Sequence, residues 1–389
     1  MPGLFSPLTL KGVTLRNRIG MSPMTMYRST DGQMTDFHVM YLGARAAGGF
    51  GLVFAEQIAI APEGRTSVHC AGLYDDDQIP GHARVTAMIR DMGAVPAIQL
   101  GHTGRCGSEV KPWIGEGGLG RQLASDHPEG WQVVGPSEVP YGFGKRTHPV
   151  HALSVEEIGQ VHRQYADAAR RAHEAGYQWL ELHFAHGYLA SQFYSPLANH
   201  RTDAYGGSLA NRARFLLEAL DAVRAVWPDE LPLTARLGCD DFNPDGIRFE
   251  ESLQVLGWLK EHGLDLADLS MGGNTDDVRD PFFLRPAAWV ERGAQVRREI
   301  GIPVAVSWNL GVPGLADQVI RDDQIDLVLL GRPALANPHW PVWAARELGS
   351  DEQADEFALL PPDWAWWLQT SRVINPNIGW PEPSSNVSG

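Results

Sequence analysis

Short apolar runs alternate along the chain with longer stretches of helical periodicity. The runs fall at Asn17–Ser22, Gly51–Ala55, Ala94–Leu100, Tyr177–His183, Leu231–Leu237, Leu264–Ser270, Ile302–Ser307 and Ile325–Leu330. Several open after a glycine and proceed to β-branched residues, as parallel strands buried on both faces do. Between them the pattern predicts helices over Phe37–Ala47, about Asp77–Met92, Ser154–Ala175, Ser208–Val226, Phe249–His262, Ala287–Ile300, Gly314–Arg321 and Trp340–Leu348. Ser154 to Glu157 reads as a capping box, and Gly176 stops the helix it opens. Eight strand–helix repeats are the number that closes a parallel sheet, so the predicted fold is α/β, a (β/α)8 barrel. A Gly/Pro-rich segment of about 101–152 follows the third run and is expected to cap the mouth, carrying Trp113 and Trp131. A doubly wound open sheet is the competitor, but no Gly-x-Gly-x-x-Gly turn follows the first run. Residues 1–372 are expected to form one domain with a C-terminal extension, and 373–389 a disordered tail.

Composition narrows the function classes. The net charge of −15 argues against nucleic acid and against an anionic membrane surface as partners. No apolar run reaches membrane-spanning length and no signal peptide is visible, so a soluble cytoplasmic protein is expected. Cys70, Cys106 and Cys239 show no close pairing, which leaves no disulfide framework and no iron–sulfur cluster. The four lysines, Lys11, Lys111, Lys145 and Lys260, follow no predicted strand, so none suits a Schiff base.

In a barrel the chemistry sits where strands end. The fourth run ends in His183-Phe184-Ala185-His186-Gly187-Tyr188, two imidazoles and a phenol able to face one cavity. Imidazole switches readily between donor and proton carrier. A phenol, titrating near about pH 10, enters a reaction protonated and can act as a general acid. A zinc site and two satisfied core histidines are the alternatives. The other strand ends offer Pro23, Met24, Thr25, Glu56, Gln57, Gln99, His102, Arg236, Ser270, Trp308 and Gly331-Arg332. This set has no glycosidase-type carboxylate pair. It has many donors and acceptors for a planar heterocycle. Gly311 after the seventh run and Gly331-Arg332 after the eighth fall where this fold usually binds phosphate.

Several stretches together resemble the old yellow enzyme family of FMN-dependent oxidoreductases over roughly residues 3–372, most of all the bacterial xenobiotic reductases and thermophilic-like ene-reductases. They are Asn17-Arg18-Ile19, Ser22-Pro23-Met24, Gln99-Leu100-Gly101-His102, His183 through Leu189, Asn199 through Ser208, and Gly331-Arg332. The resemblance implies an FMN-binding barrel reduced by NADPH or NADH. It places Ser22, Pro23, Met24, Thr25 and Gln57 along the flavin and Gln99 at its pyrimidine edge. Arg236 would stand near the flavin N1 and O2, with Gly311, Gly331 and Arg332 at the phosphate. His183 and His186 would hold the substrate's carbonyl or nitro oxygen, Tyr188 would protonate carbon, and Tyr27, Trp308 and Trp367 would flank the substrate. A metal is not expected, because this flavin set accounts for more residues than a zinc site would.

Two positions depart from the pattern. Thr25 stands where close relatives often carry Cys, and Gln57 where a small residue is usual. The C-terminal Trp367 and Arg372 match an aromatic and an arginine that in similar reductases cross a dimer interface, so a homodimer or higher homo-oligomer is expected. The activity implied is reduction of activated C=C bonds in α,β-unsaturated carbonyl or nitro compounds. A nitro or nitrate-ester reductase, or an oxidative desaturase or demethylase running the flavin the other way, is the alternative.

Overall fold

Eight parallel strands close into a barrel in this computed structural model, which describes residues 2–114, 121–141, 148–280, 285, 287–349 and 356–372. The described strands are β1 (Leu8–Leu10), β2 (Val13–Leu15), β3 (Ile19–Met21), β4 (Leu52–Ala59), β5 (Val95–Gly101), β6 (Val134–Gly135), β7 (His151–Ala152), β8 (Trp179–Phe184), β9 (Leu233–Gly238), β10 (Leu266–Ser270), β11 (Val304–Val306) and β12 (Leu327–Leu330). The barrel order runs β3-β4-β5-β8-β9-β10-β11-β12 and returns to β3. The predicted barrel is therefore the observed one. The long helices fall within two or three residues of their predicted ends, including α3 (Val155–Glu174) and α5 (Leu209–Arg224).

Strand residues alternate between the two faces of the sheet. The outward set, among it Ile98, Leu182, Leu237, Leu269 and Leu330, packs under the helices. The inward set starts apolar: Leu52, Phe54, Ala97, Trp179, Leu266, Ala305, Leu327 and Leu329 form a separate buried cluster with Val13 and Leu15. The β1–β2 hairpin, which the run pattern did not predict, thus plugs the floor of the barrel. Above that layer the inward residues turn polar, with Gln99, Glu181, Arg236 and Asp268 all buried. Apolar below and polar above fixes which end of the barrel can do chemistry.

The capping box at α3 is present: the Ser154 hydroxyl accepts from the Glu157 amide at 3.2 Å, and the Glu157 carboxylate accepts from the Ser154 amide at 2.7 Å. Replacing Ser154 with Ala is expected to cost about 1 kcal/mol of stability, the usual worth of an N-cap. Urea unfolding checks this, and an unchanged midpoint would count against the cap.

The described part of the long insertion packs beside the β4 and β5 ends. The Trp131 indole donates to the Glu63 carbonyl at 3.0 Å. Trp113, itself 64% exposed, stands edge-on to Tyr27 at 5.5 Å between ring centroids. The C-terminal helix α11 (Pro362–Arg372) rests through Ala365 and Leu368 on Phe357 and Leu359. Trp367 on it is 66% exposed. The side chain of Arg372 and the expected tail 373–389 lie outside the described residues.

Candidate active site

The two imidazoles and the phenol meet because of a backbone turn. His186 and Gly187 both take left-handed conformations, with φ of 59° and 69°. A Cβ on residue 187 would come within 2.2 Å of the Gly273 carbonyl, so only glycine fits there. The turn carries the chain back, and the Tyr188 ring stands 4.8 Å from His183 while the His186 ring stands 5.0 Å from His183. Nδ1 of His183 is buried with no hydrogen-bond partner among the described residues. The Tyr188 hydroxyl is 3.5 Å from Thr66 Oγ1.

The protonation state of His186 follows from its neighbours. The Trp308 indole N–H, which can only donate, reaches Ser270 Oγ at 3.2 Å. The same oxygen lies 2.6 Å from His186 Nε2. Ser270 therefore accepts from Trp308 and meets His186 through the same oxygen, which holds the His186 ring in place. Burial lowers the pKa of both histidines, that of His186 to about 3 with Arg236 adding to the effect. Near neutral pH both are uncharged donors. Among the described residues no group of three or more His, Cys, Asp or Glu side chains could hold a metal ion. Glu56, one candidate third ligand, instead holds His38 at 3.0 Å and the Met26 amide at 3.1 Å.

Below the imidazoles lies a charged cluster. Arg236 ion-pairs with Asp268 through Nε, and its Nη2 donates to Ser22 at 2.9 Å and Ser307 at 3.3 Å. Gln99 donates to Glu181 at 2.7 Å. The cation at Arg236 is therefore a paired one. Glu181, Asp268 and Ser307 were missed as site residues. The signal was available: Glu181 precedes His183 by two, and Asp268 precedes Ser270 by two, so each pair shares a strand face.

A cavity of about 810 Å³ opens from this cluster toward the ends of β11 and β12, lined by Ser22, Met24, His186, Arg236, Trp308 and Gly311, with Gly331 and Arg332 at the far end. Its volume is in the range of ligand and cofactor pockets. Gln57, 3% exposed, adjoins the site from β4 with both amide atoms unpartnered among the described residues. Its packing needs Gly101, where a Cβ would meet the Gln57 Nε2 and the His183 Cβ at 3.0 Å. Pro23 and Thr25 sit half-buried between Ser22 and Tyr27. Trp367 is not among the residues lining the cavity.

A profile of the NADH:flavin oxidoreductase / NADH oxidase family matches residues 3–351. The chain belongs to this family. It is an NAD(P)H-dependent flavin oxidoreductase, and its cofactor is FMN. Among solved structures this flavin oxidoreductase is similar to morphinone reductase in complex with tetrahydroNAD, at 28% identity over 93% of this chain and 95% of that one, TM-score 0.72. It is also similar to a 2-naphthoyl-CoA reductase, at 26% identity and TM-score 0.78 over 87% of this chain. It spans about half of that reductase, covering 51% of its chain. An old yellow enzyme homologue from Zymomonas mobilis shares the fold at 23% identity, TM-score 0.72, over 93% of this chain and 98% of that one. Among the described residues no helix is long and apolar enough to cross a membrane.

The residues present fit FMN. The cavity joins a glycine-and-arginine end to a polar end. Beside His186, which lines that polar end, Nδ1 of His183 has no partner within the described chain, and neither has the neighbouring buried amide of Gln57. Buried polar atoms are rarely left unpaired without a ligand or water to meet them.

Proposed function

We propose that this chain reduces activated C=C bonds, as in α,β-unsaturated carbonyl or nitro compounds, with NADPH or NADH as reductant. The carrying observation is the meeting of two neutral imidazoles and a phenol, at ring separations of 4.8 and 5.0 Å, with one of them, His186, lining the cavity. Gly331, Arg332 and Gly311 would hold the FMN phosphate, Arg236 and Gln99 the pyrimidine edge of the ring, and Ser22, Pro23, Met24, Thr25 and Gln57 its flank. FMN, when bound, supplies the hydride it has taken from NAD(P)H.

The chain's own residues do the rest. His183 and His186 each donate a ring N–H to the substrate oxygen. As uncharged donors they draw electron density to that oxygen and make the β-carbon electrophilic. Tyr188, held between His183 and Thr66, hands its proton to the α-carbon. Tyr27 has its phenol pKa raised by burial, and it walls the pocket against Trp113 without ionising. Trp308 acts chiefly through Ser270, which holds the His186 ring. Trp367, on the outer face, reaches a substrate pocket only in an oligomer where α11 of one copy meets another.

The purified protein is expected to be yellow, to bleach anaerobically on NADPH, and to regain colour on addition of 2-cyclohexenone. A protein that bleaches but is reoxidised by oxygen alone would remove the alkene reading. A colourless protein that takes up no FMN would remove the whole assignment.

A further inference from the structure

Four buried side chains beneath the mouth form a cluster whose charges do not balance as drawn. Gln99, Glu181, Arg236 and Asp268 are each at most 4% exposed. Arg236 contacts Asp268 directly, whereas Glu181 has only the neutral Gln99 amide, at 2.7 Å. Glu181 Oε2 and Asp268 Oδ1 have no hydrogen-bond partner among the described residues. Two carboxylates against one guanidinium would leave one negative charge buried and uncompensated, which is costly in a low dielectric. A proton on one carboxyl removes it. Asp268 has the cation in contact, so Glu181 is the group that keeps the proton.

We propose that Glu181 is a positioning residue that holds one proton beneath the Arg236–Asp268 pair and couples protonation of the barrel interior to the redox state of the flavin. This rests on the FMN reading above, in which Arg236 and Gln99 face the flavin pyrimidine edge. With Asp268 cancelling Arg236, a neutral Glu181 leaves the cluster uncharged, and an ionised Glu181 leaves it negative. A hydride from NAD(P)H brings two electrons and one proton, and negative charge comes to rest beside Arg236. An ionised Glu181 opposes that charge and takes up one further proton from solvent; a neutral Glu181 takes up none.

The groups facing Glu181 bear this out element by element. β9 offers Arg236 and β10 Asp268. Its own strand and the turn after it offer His183 and His186, both held neutral by burial. β5 and β4 offer only the amides Gln99 and Gln57, and Ser22 and Ser307 offer hydroxyls to Arg236. Burial and the neighbouring Asp268 push Glu181 up to about 8, against the pull of Arg236 and Gln99. The proton is thus in place at neutral pH and lost in mildly alkaline medium.

The test is equilibrium reduction of the FMN-loaded protein against reference dyes from pH 6 to 10, in the parent and in Glu181→Gln, the neutral isostere. Above about pH 8 the parent's equilibrium constant for reduction is expected to fall about tenfold more per pH unit than that of Glu181→Gln, one proton's worth of linkage. Below that the two should run parallel. The same slope in both over the whole range overturns the coupling. A second readout is the infrared C=O stretch of a protonated carboxyl. It should be present at pH 7 in the parent and absent in Glu181→Gln. It should also be absent in Asp268→Asn, where Glu181 becomes the counter-ion of Arg236 and ionises. A parent without the band overturns the protonated Glu181. A chain with the band but no FMN uptake overturns the function reading and the coupling, while keeping the proton on Glu181.

Discussion

Tyr188→Phe is expected to slow reoxidation of the NADPH-reduced protein by 2-cyclohexenone by about 10²–10⁴-fold, the usual worth of a positioned general acid. Bleaching by NADPH should change little. The change removes one oxygen and keeps the ring that packs at 4.8 Å from His183, so the pocket's shape survives. The Thr66 hydroxyl, 3.5 Å from that oxygen, cannot take over, because an aliphatic hydroxyl is far too weak an acid to deliver the proton at a comparable rate. Stopped-flow measurement of the two half-reactions separates them. Equal loss in both would mean that Tyr188 shapes the flavin site and donates no proton.

Arg236→Met is the substitution with the largest expected effect on stability. It keeps much of the side-chain volume and leaves Asp268, fully buried, without its cation. Removing one partner of a buried pair typically costs about 3–5 kcal/mol. The loss should depend on pH, with a sign that follows from linkage. In the variant, the Asp268 carboxyl is buried and unpaired, so its folded pKa lies above the unfolded value of about 3.9. Stability is then present below the unfolded pKa and lost as pH rises through the folded one. Urea unfolding should therefore show a larger deficit at pH 8 than at pH 5. Adding Asp268→Leu should return much of the deficit, since an apolar pair of similar volume carries no desolvation cost. A single variant as stable as the parent at neutral pH would contradict the ion pair's role.

Much of the site was legible because barrel chemistry collects at strand ends, and strand ends can be read from runs. Met24, His186, Arg236, Trp308, Gly311, Gly331 and Arg332 were located that way, Ser22 came from the family resemblance, and one cavity gathers them. What runs cannot show is which neighbour a side chain finds. The partner of Arg236 could not be read because its counter-ion, Asp268, lies on the adjacent strand 32 residues later. Glu56 and Gln57 both read as mouth residues. A register shift between Phe54 and Gln57 pairs Gln57 with Gln99 and leaves Glu56 to face His38. A strict period of two from Phe54 would have chosen the other residue. The β1–β2 hairpin escaped because runs of three residues carry no periodicity to read.

By itself the sequence determined the eight-fold repeat, the closed barrel and the end of it that is polar, because hydrophobic period and turn residues are local properties of the chain. It also singled out His183, His186 and Tyr188, which combine donors with a proton source on one strand end. Only the tertiary structure decided their charge states and partners: the neutral His186 held by Ser270 and Trp308, the pairing of Arg236, and the isolation of Glu181. Those depend on burial and on distances of a few ångströms between strands far apart in sequence. Electrostatic energy is set by such distances and by the surrounding dielectric, neither of which is written in the order of residues.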